Sequence, residues 1–142
     1  AGSWTYSSDV ANVDFTGLGS YNELAILLRN VTGSAANIRQ LLVSTDGGSS
    51  SLNASGDYVA IDSSGIETND TVCSFHNTSS ALARTAWGLL RMINLATPKL
   101  WHSGFPTTNL VAIIPTTTAI NAIRVRPHTG NFTGGSIYVW GR

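Results

Sequence analysis

The last segment of the chain, "AIRVRPHTGNFTGGSIYVWGR" (Ala122–Arg142), alternates residue types on both sides of a glycine-rich stretch. In its first half, aliphatic residues alternate with Arg124 and Arg126. In its second half, aliphatic residues alternate with Tyr138 and Trp140. A period of two is typical of β-strands that have one buried face. The pattern predicts two strands, the second being the closing arm of a β-hairpin behind a Gly-Gly turn.

The faces of these two strands carry the first candidate site. If the aliphatic residues point into the core, the two arginines and the two aromatic residues line the outer face of neighbouring strands. Arginine over an aromatic ring is a favourable pairing, and both residue types are enriched at protein interfaces. The alternative is that the aromatic residues face the core and the aliphatic residues pack under a loop. The first arrangement gives four candidate ligand or interface residues: Arg124, Arg126, Tyr138 and Trp140.

Short apolar or alternating runs also recur along the rest of the chain, separated by clusters of Gly, Ser, Thr and Asn. Tyr21–Val31 could also be a helix, but it is short and "TGSAAN" ends it, so we predict a strand paired with Ile38–Ser44. The further predicted strands include Trp4–Tyr6, Val13–Phe15, Asp57–Ile61, Trp87–Leu95, Leu100–His102 and Leu110–Ile114. About eight to ten short strands with frequent turn signals indicate an all-β fold. The prediction is a single antiparallel β-sandwich, jelly-roll-like, in one domain over residues 1–142.

The composition disfavours several classes of function. Only 11% of the 142 residues are charged, and eight basic residues balance eight acidic ones. A net charge of zero gives no field that would attract nucleic acid or an anionic membrane. No apolar run reaches the ~18 residues of a membrane-spanning helix, so membrane insertion is not expected. The single Cys73 excludes an internal disulfide framework.

The sequence contains little that is typical of an enzyme. No serine lies in a G-x-S-x-G motif, no carboxylate pair is marked, and the three histidines lack metal-ligand spacing. Asp46, Asp57 and Asp62 could be interpreted as calcium ligands, although Asp before Gly-Gly is first of all a turn. We therefore predict a protein that is not an enzyme, with no cofactor and no bound metal.

The tryptophans supply a second candidate site. Sugar-binding sites stack the apolar face of a sugar on an exposed aromatic ring and bind its hydroxyls with polar side chains. Trp87, and Trp101 beside His102, fit this description. The alternative is that they are partly buried core or interface residues, as most tryptophans of a small sandwich are.

The segment "AINAIRVRPHTGNFTGGSIYVWGR" (Ala119–Arg142) resembles the C-terminal β-sandwich modules of tailed-bacteriophage virion proteins. Those modules often finish with an Ile-rich strand, a loop with N-F-x-G-G or a close variant, and a last strand that ends in aromatic-Gly. The stretch "YNELAILLRNVTGSAANIRQLLVSTDGGSS" (Tyr21–Ser50) is similar to their strand, loop, strand and Asp-Gly-Gly turn. Fibre tips usually follow a shaft or an attachment domain, for which this chain has no room. This departure favours either a fragment or a decoration or adaptor role.

The resemblance implies a non-enzymatic virion protein of a tail fibre or receptor-binding apparatus that recognises a glycan on the host surface. It also implies other virion proteins as partners, a homo-oligomer with a trimer favoured, and a place in an extracellular particle assembled in the host cytoplasm. The first alternative is a capsid or tail decoration protein with no receptor role. The second is a secreted lectin-like glycoprotein, which the missing disulfides count against. Five N-x-[S/T] acceptors favour it: Asn30, Asn53, Asn69, Asn77 and Asn131.

Overall fold

A computed structural model of the chain describes residues 1–61, 67–76, 79–105 and 108–142. The described residues form twelve β-strands and no helix, and hence none that could cross a membrane. The strands are β1 (Gly2–Thr5), β2 (Val13–Phe15), β3 (Glu23–Gly33), β4 (Arg39–Ser44), β5 (Tyr58–Ile61), β6 (Glu67–Asp70), β7 (Cys73–Ser74), β8 (Arg84–Arg91), β9 (Lys99–Phe105), β10 (Thr108–Ile114), β11 (Ala122–Pro127) and β12 (Phe132–Gly141).

The strands build two antiparallel sheets that face each other. The large sheet has eight strands in the order β1-β12-β3-β8-β9-β10-β5-β6, and the small sheet has four in the order β2-β11-β4-β7. Their inner faces meet in one hydrophobic core, to which the large sheet contributes Ile26 and Ile137 and the small sheet Leu41 and Val125. The predicted fold class, an all-β, jelly-roll-like antiparallel sandwich, is confirmed.

Alternation explains which side chains reach that core. In β3 the side chains of Leu24, Ile26 and Leu28 are buried, while Ala25 and Leu27 point to the other face and stay partly exposed. β12 likewise buries Ile137 and Val139 and turns Tyr138 and Trp140 outward. Because each fully buried aliphatic side chain stabilises the fold by about 1.5–3 kcal/mol, this choice of face is strongly determined.

The predicted hairpin between the last two strands is wrong, because β11 and β12 belong to different sheets. β11 pairs with β2 and β4, whereas β12 pairs with β1 and β3. The loop between them is tied to the connection that follows β3. The amide of Ser34 donates to the carbonyl of Asn131 (2.9 Å), and the amide of His128 donates to that of Ile38 (2.9 Å). The chain therefore crosses to the other sheet before β12 begins.

The Gly134-Gly135 pair, predicted as the hairpin turn, instead lies inside β12 where its register with β3 shifts. Gly135 has a φ of 93°, and a Cβ at this position would come within 2.7 Å of the backbone of Asn30. Only glycine satisfies both conditions. The pair forms an irregularity that bends the strand, so it does not reverse the chain.

The predicted pairing of Tyr21–Val31 with Ile38–Ser44 is also wrong. These segments form β3 and β4, which again lie in different sheets. Asn37 holds the crossover between them, since its side-chain amide donates to the carbonyls of Ala35 (2.9 Å) and Thr129 (2.6 Å). The turn-rich sequence between the two strands thus marks a change of sheet.

Arg39 forms a junction next to this crossover. The residue has no exposed surface, and burial lowers the pKa of its guanidinium. Buried charges must be satisfied by hydrogen bonds. The guanidinium of Arg39 donates to four main-chain carbonyls, those of Val31 (3.1 Å), Asn37 (2.7 Å), Ser80 and Leu82. The junction joins the end of β3, the start of β4 and the segment at 80–82.

Candidate functional site

The outer face of the large sheet, on the side away from the core, carries several exposed aromatic residues. Cross-strand pairing places one residue from each of six neighbouring strands in a single row: Ser3, Tyr138, Leu27, Trp87, Gly104 and Asn109. A second row contains Trp140, Ala25, Leu89 and His102. We call the outward residues of the four strands at the centre of these rows the aromatic face: Tyr138, Trp140, Ala25, Leu27, Trp87, Leu89, His102 and Gly104.

Trp87 lies across Gly104 of the neighbouring strand. A Cβ at position 104 would overlap the indole ring, so the ring can pack against β9 there only because residue 104 has no side chain. His102 contacts Trp87 edge-on, with ring centroids 5.2 Å apart and an interplanar angle of 80°. Trp87 remains 44% exposed. The ring is therefore supported by the protein on one side and open to solvent elsewhere.

Tyr138 and Trp140 form a second aromatic surface on β12. Their rings stack with centroids 5.7 Å apart and an interplanar angle of 14°, and Trp140 is 52% exposed. Between this pair and Trp87 runs β3, whose outward residues Ala25 and Leu27 are smaller. The aromatic face is thus a shallow trough over β3 with aromatic rings on both sides.

Polar and charged groups border the trough at both ends of β3. At one end, the backbone amide of Asn30 donates to Oγ1 of Thr85 (3.1 Å), whose hydroxyl donates to Oδ1 of Asn30 (3.2 Å). Arg29 is exposed beside them. At the other end, one carboxylate binds two guanidinium groups at 2.9 and 3.0 Å, namely Glu23 with Arg91 and Arg142. A ligand on the face would meet hydrogen-bonding groups at either end.

Trp101, predicted as a ligand residue together with His102, lies on the opposite face. Consecutive residues of a strand point to opposite sides of the sheet, so the two side chains cannot share one surface. Trp101 is 1% exposed, its Nε1 donates to the carbonyl of Ser74 (3.1 Å), and its ring meets that of Phe75 edge-on at 5.0 Å. Trp101 is therefore a core residue, as the alternative prediction had it, and the tryptophan that contacts His102 is Trp87.

Arg124 and Arg126 do not join the aromatic face, contrary to the prediction that they neighbour the aromatic residues of the last strand. They lie on the outer side of the small sheet, because β11 belongs to that sheet. Arg124 binds both carboxylate oxygens of Asp14 (2.7 and 2.8 Å), and this hydrogen bonding raises its pKa. Arg126 donates to Oε1 of Gln40 (3.2 Å). Both guanidinium groups are thus occupied by neighbours within the chain.

The residues considered as calcium ligands serve turns. Asp46 accepts from the hydroxyl and amide of Ser50 and from the hydroxyl of Ser44, and these bonds hold its pKa well below the usual range. Asp57 accepts from the amide of Ala54 (2.8 Å). Asp62 lies outside the described residues, as does Asn77, one of the five candidate glycosylation sites. Within the described ranges, no three His, Cys, Asp or Glu side chains are grouped so that they could hold a metal ion.

The sequence prediction named four residues of the aromatic face but missed the other four: Ala25, Leu27, Leu89 and Gly104. Alternation within Tyr21–Val31 contains the signal for the first two, since the residues between its buried aliphatics must point outward. No local signal marks Gly104, because this glycine matters only through Trp87 on the neighbouring strand.

No family model and no curated protein matches the chain. Among solved structures, it overlays on CG-16, a homodimeric agglutinin from chicken liver, with a TM-score of 0.48 and 12% identity, covering 91% of this chain and 99% of that chain. It overlays on an exo-inulinase from Aspergillus awamori with a TM-score of 0.49 and 12% identity, covering 98% of this chain and 28% of that chain.

A complex of toad ovary galectin with thio-digalactose overlays with a TM-score of 0.47 and 8% identity, covering 92% of this chain and 99% of that chain. All three TM-scores lie under 0.5, and the identities are 8–12%. These likenesses therefore do not indicate what this chain binds.

Proposed function

We propose that this protein is a non-enzymatic, lectin-like β-sandwich that binds carbohydrate on the aromatic face. The observation that carries the proposal is the Trp87 indole, seated over Gly104, flanked by His102 and 44% exposed. A sugar can stack its apolar C–H face on such a ring. Because the ring is already held in position, little conformational entropy is lost on binding.

Groups that can bind sugar hydroxyls lie next to the ring. Asn109 pairs across the strands with Gly104 and is exposed, and His102 is partly exposed. The Asn amide offers two donor hydrogens and an acceptor oxygen, and a neutral imidazole offers one donor and one acceptor. These side chains can therefore bind a hydroxyl group in either role. An apolar platform with a few convergent polar groups is the usual make-up of a small-ligand site.

The test is retention of the purified protein on a panel of immobilised neutral and acidic glycans and bacterial surface polysaccharides. We expect selective retention that Trp87→Ala removes without changing the thermal unfolding midpoint. Tyr6→Ala is the matched control, since Tyr6 is an exposed aromatic residue that follows β1 and donates its hydroxyl to Asp9. Retention that survives Trp87→Ala, or no retention on any glycan, would overturn the proposal.

A second candidate function, that of a structural subunit, is favoured by the outward residues beyond the aromatic face. These residues are aliphatic and only partly exposed: Leu100, Val111, Ile113, Val59 and Ile61. A contiguous apolar surface is typical of an interaction site between proteins. This candidate fits the decoration role and the homo-oligomer implied by the sequence resemblance, and the virion setting itself stays a prediction.

The mass in solution separates the two candidates when it is measured with glycan binding. A glycan-binding monomer, or an oligomer whose Trp87 stays accessible to a collisional fluorescence quencher, supports carbohydrate recognition. An oligomer that shields Trp87 and is retained by no glycan supports the structural subunit.

A further inference from the structure

We infer that the aromatic face takes a neutral, linear oligosaccharide of three or more sugar units that runs across strands β12, β3 and β8. This inference rests on the proposed carbohydrate-binding function and narrows it, because it excludes a single sugar as the preferred ligand. Three observations support it: the spacing of the aromatic rings, the way in which the rings are held, and the lack of charge along the row that contains them.

The spacing of the two platforms matches a chain of sugars. Tyr138 and Trp87 both pair with Leu27, from opposite sides, and therefore lie in the same row two strands apart. Neighbouring strands are about 4.8 Å apart, so the backbone positions of Tyr138 and Trp87 are separated by about 10 Å. The Trp87 indole lies over Gly104 on β9, on the side away from Tyr138, and this adds to the distance between the two rings. The separation is thus at least the length of two consecutive sugar units, so a chain with one unit on each ring has three or more units and crosses β3 at Leu27.

The protein holds both platforms in position. Trp87 is supported by Gly104 and His102, and Tyr138 stacks on Trp140 with an interplanar angle of 14°. Rings that are already oriented lose little freedom when a ligand stacks on them, so each contributes more of its contact energy to binding. Two such contacts on one linked ligand act together, because the second forms at a high effective concentration.

The charge distribution indicates a neutral ligand. None of the six residues in the row carries a charge: Ser3, Tyr138, Leu27, Trp87, Gly104 and Asn109. The charged groups lie beyond it, where Glu23 binds Arg91 and Arg142 at one end of β3 and Arg29 is exposed at the other. An ionised sugar would lose its hydration over this row without gaining a charged partner within it. Uncharged sugars, which offer apolar faces and hydroxyl groups, fit the row better.

The test is calorimetry on the full chain with sugars of increasing length, from monomer to hexamer, in three neutral series: β-1,4-glucan, β-1,3-glucan and β-1,4-galactan. Polygalacturonate oligomers of the same lengths serve as the charged series. We expect at least one neutral series to bind, with affinity rising about tenfold or more at the length, trimer or longer, at which the second ring is reached. The charged series should bind more weakly at every length.

Variants assign the length dependence to the two rings. Trp87→Ala should abolish binding at all lengths. Tyr138→Ala should leave the affinity for the dimer unchanged and remove the increase seen with the longer chains, whereas Tyr138→Phe, which keeps the ring, should retain the increase. Tyr6→Ala should behave like the unmodified chain, and thermal unfolding of each variant shows that it is folded.

The outcomes separate this inference from the proposed function. Binding that needs Trp87 but does not depend on chain length overturns the inference and leaves the proposed function standing. Stronger binding of the charged series overturns the inference in the same way. An absence of binding in all four series overturns the inference, and the glycan and polysaccharide panel described above then decides the proposed function.

Discussion

Two tryptophan–glycine pairs lie on strands β8 and β9, one on each face of the large sheet. On the inner face Trp101 fills the space over Gly88 and is 1% exposed. On the outer face Trp87 fills the space over Gly104 and is 44% exposed. In both pairs a Cβ on the glycine would overlap the indole ring. The local arrangement is the same, and the environment of the ring differs.

The difference shows how one local arrangement serves two purposes. The inner ring is fixed by its hydrogen bond to Ser74 and its edge-on contact with Phe75, so it contributes to the stability of the core. The outer ring is fixed by Gly104 and His102 and keeps much of its surface in solvent. Equal substitutions at the two glycines should therefore separate stability from binding.

Gly88→Ala should have the largest effect on stability. The added methyl group would overlap Trp101, whose ring is buried against Phe75 and held by its hydrogen bond to Ser74. Overpacking of a well-packed core typically costs about 1–3 kcal/mol, and we expect a value near the upper end. Chemical denaturation measures the change in the free energy of unfolding. A loss below about 0.5 kcal/mol would mean that the inner ring is as free to move as the outer one.

Gly104→Ala should have a small effect on stability and a large effect on binding. The added methyl group would displace Trp87, but this ring can turn into solvent, so we expect a loss of less than about 1 kcal/mol. Glycan affinity should fall to the level of Trp87→Ala. Calorimetry and chemical denaturation on the same sample check both parts. Unchanged glycan affinity in a folded variant would show that the packing of Trp87 over Gly104 is not needed for glycan binding.

Arg124→Ala should have the smallest effect and extends the comparison to the outer face of the small sheet. Arg124 and Asp14 are partly exposed and bind each other, and such ion pairs contribute about 0–1 kcal/mol. We expect a loss of stability in that range and no change in glycan affinity. A double-mutant cycle with Asp14→Ala gives the pair's own contribution. Reduced affinity in the single variant would move the binding site toward the small sheet.

The fold class could be predicted from the sequence because alternation and turn residues are local signals. The alternation of the last strand put Tyr138 and Trp140 on one face and left open whether that face is the outer one; the structure shows that it is. Pairing could not be predicted in the same way. Whether a turn-rich stretch closes a hairpin or changes sheet depends on distant contacts, such as the bond from the Asn37 side chain to the carbonyl of Thr129.

Four members of the candidate site could be predicted from the sequence, but their arrangement could not. Trp87 and His102 could be named as candidates because exposed aromatic and polar residues suit a sugar site. Their contact depends on the register of β8 with β9, which sequence alone does not fix. Trp101 was named on the same grounds as Trp87, yet it lies on the buried side of β9, the strand that carries His102 on its outer side.

The guanidinium bonds of Arg39 and the turn at 44–50 differ in how they respond to acid. A guanidinium keeps its proton as the pH falls and main-chain carbonyls do not titrate, so these hydrogen bonds do not depend on pH. Asp46 behaves differently, because its lowered pKa gives the 44–50 turn a stabilisation that is present above about pH 4 and lost as the pH falls further. Amide exchange at that turn should accordingly rise relative to the rest of the chain as the pH falls below about 4.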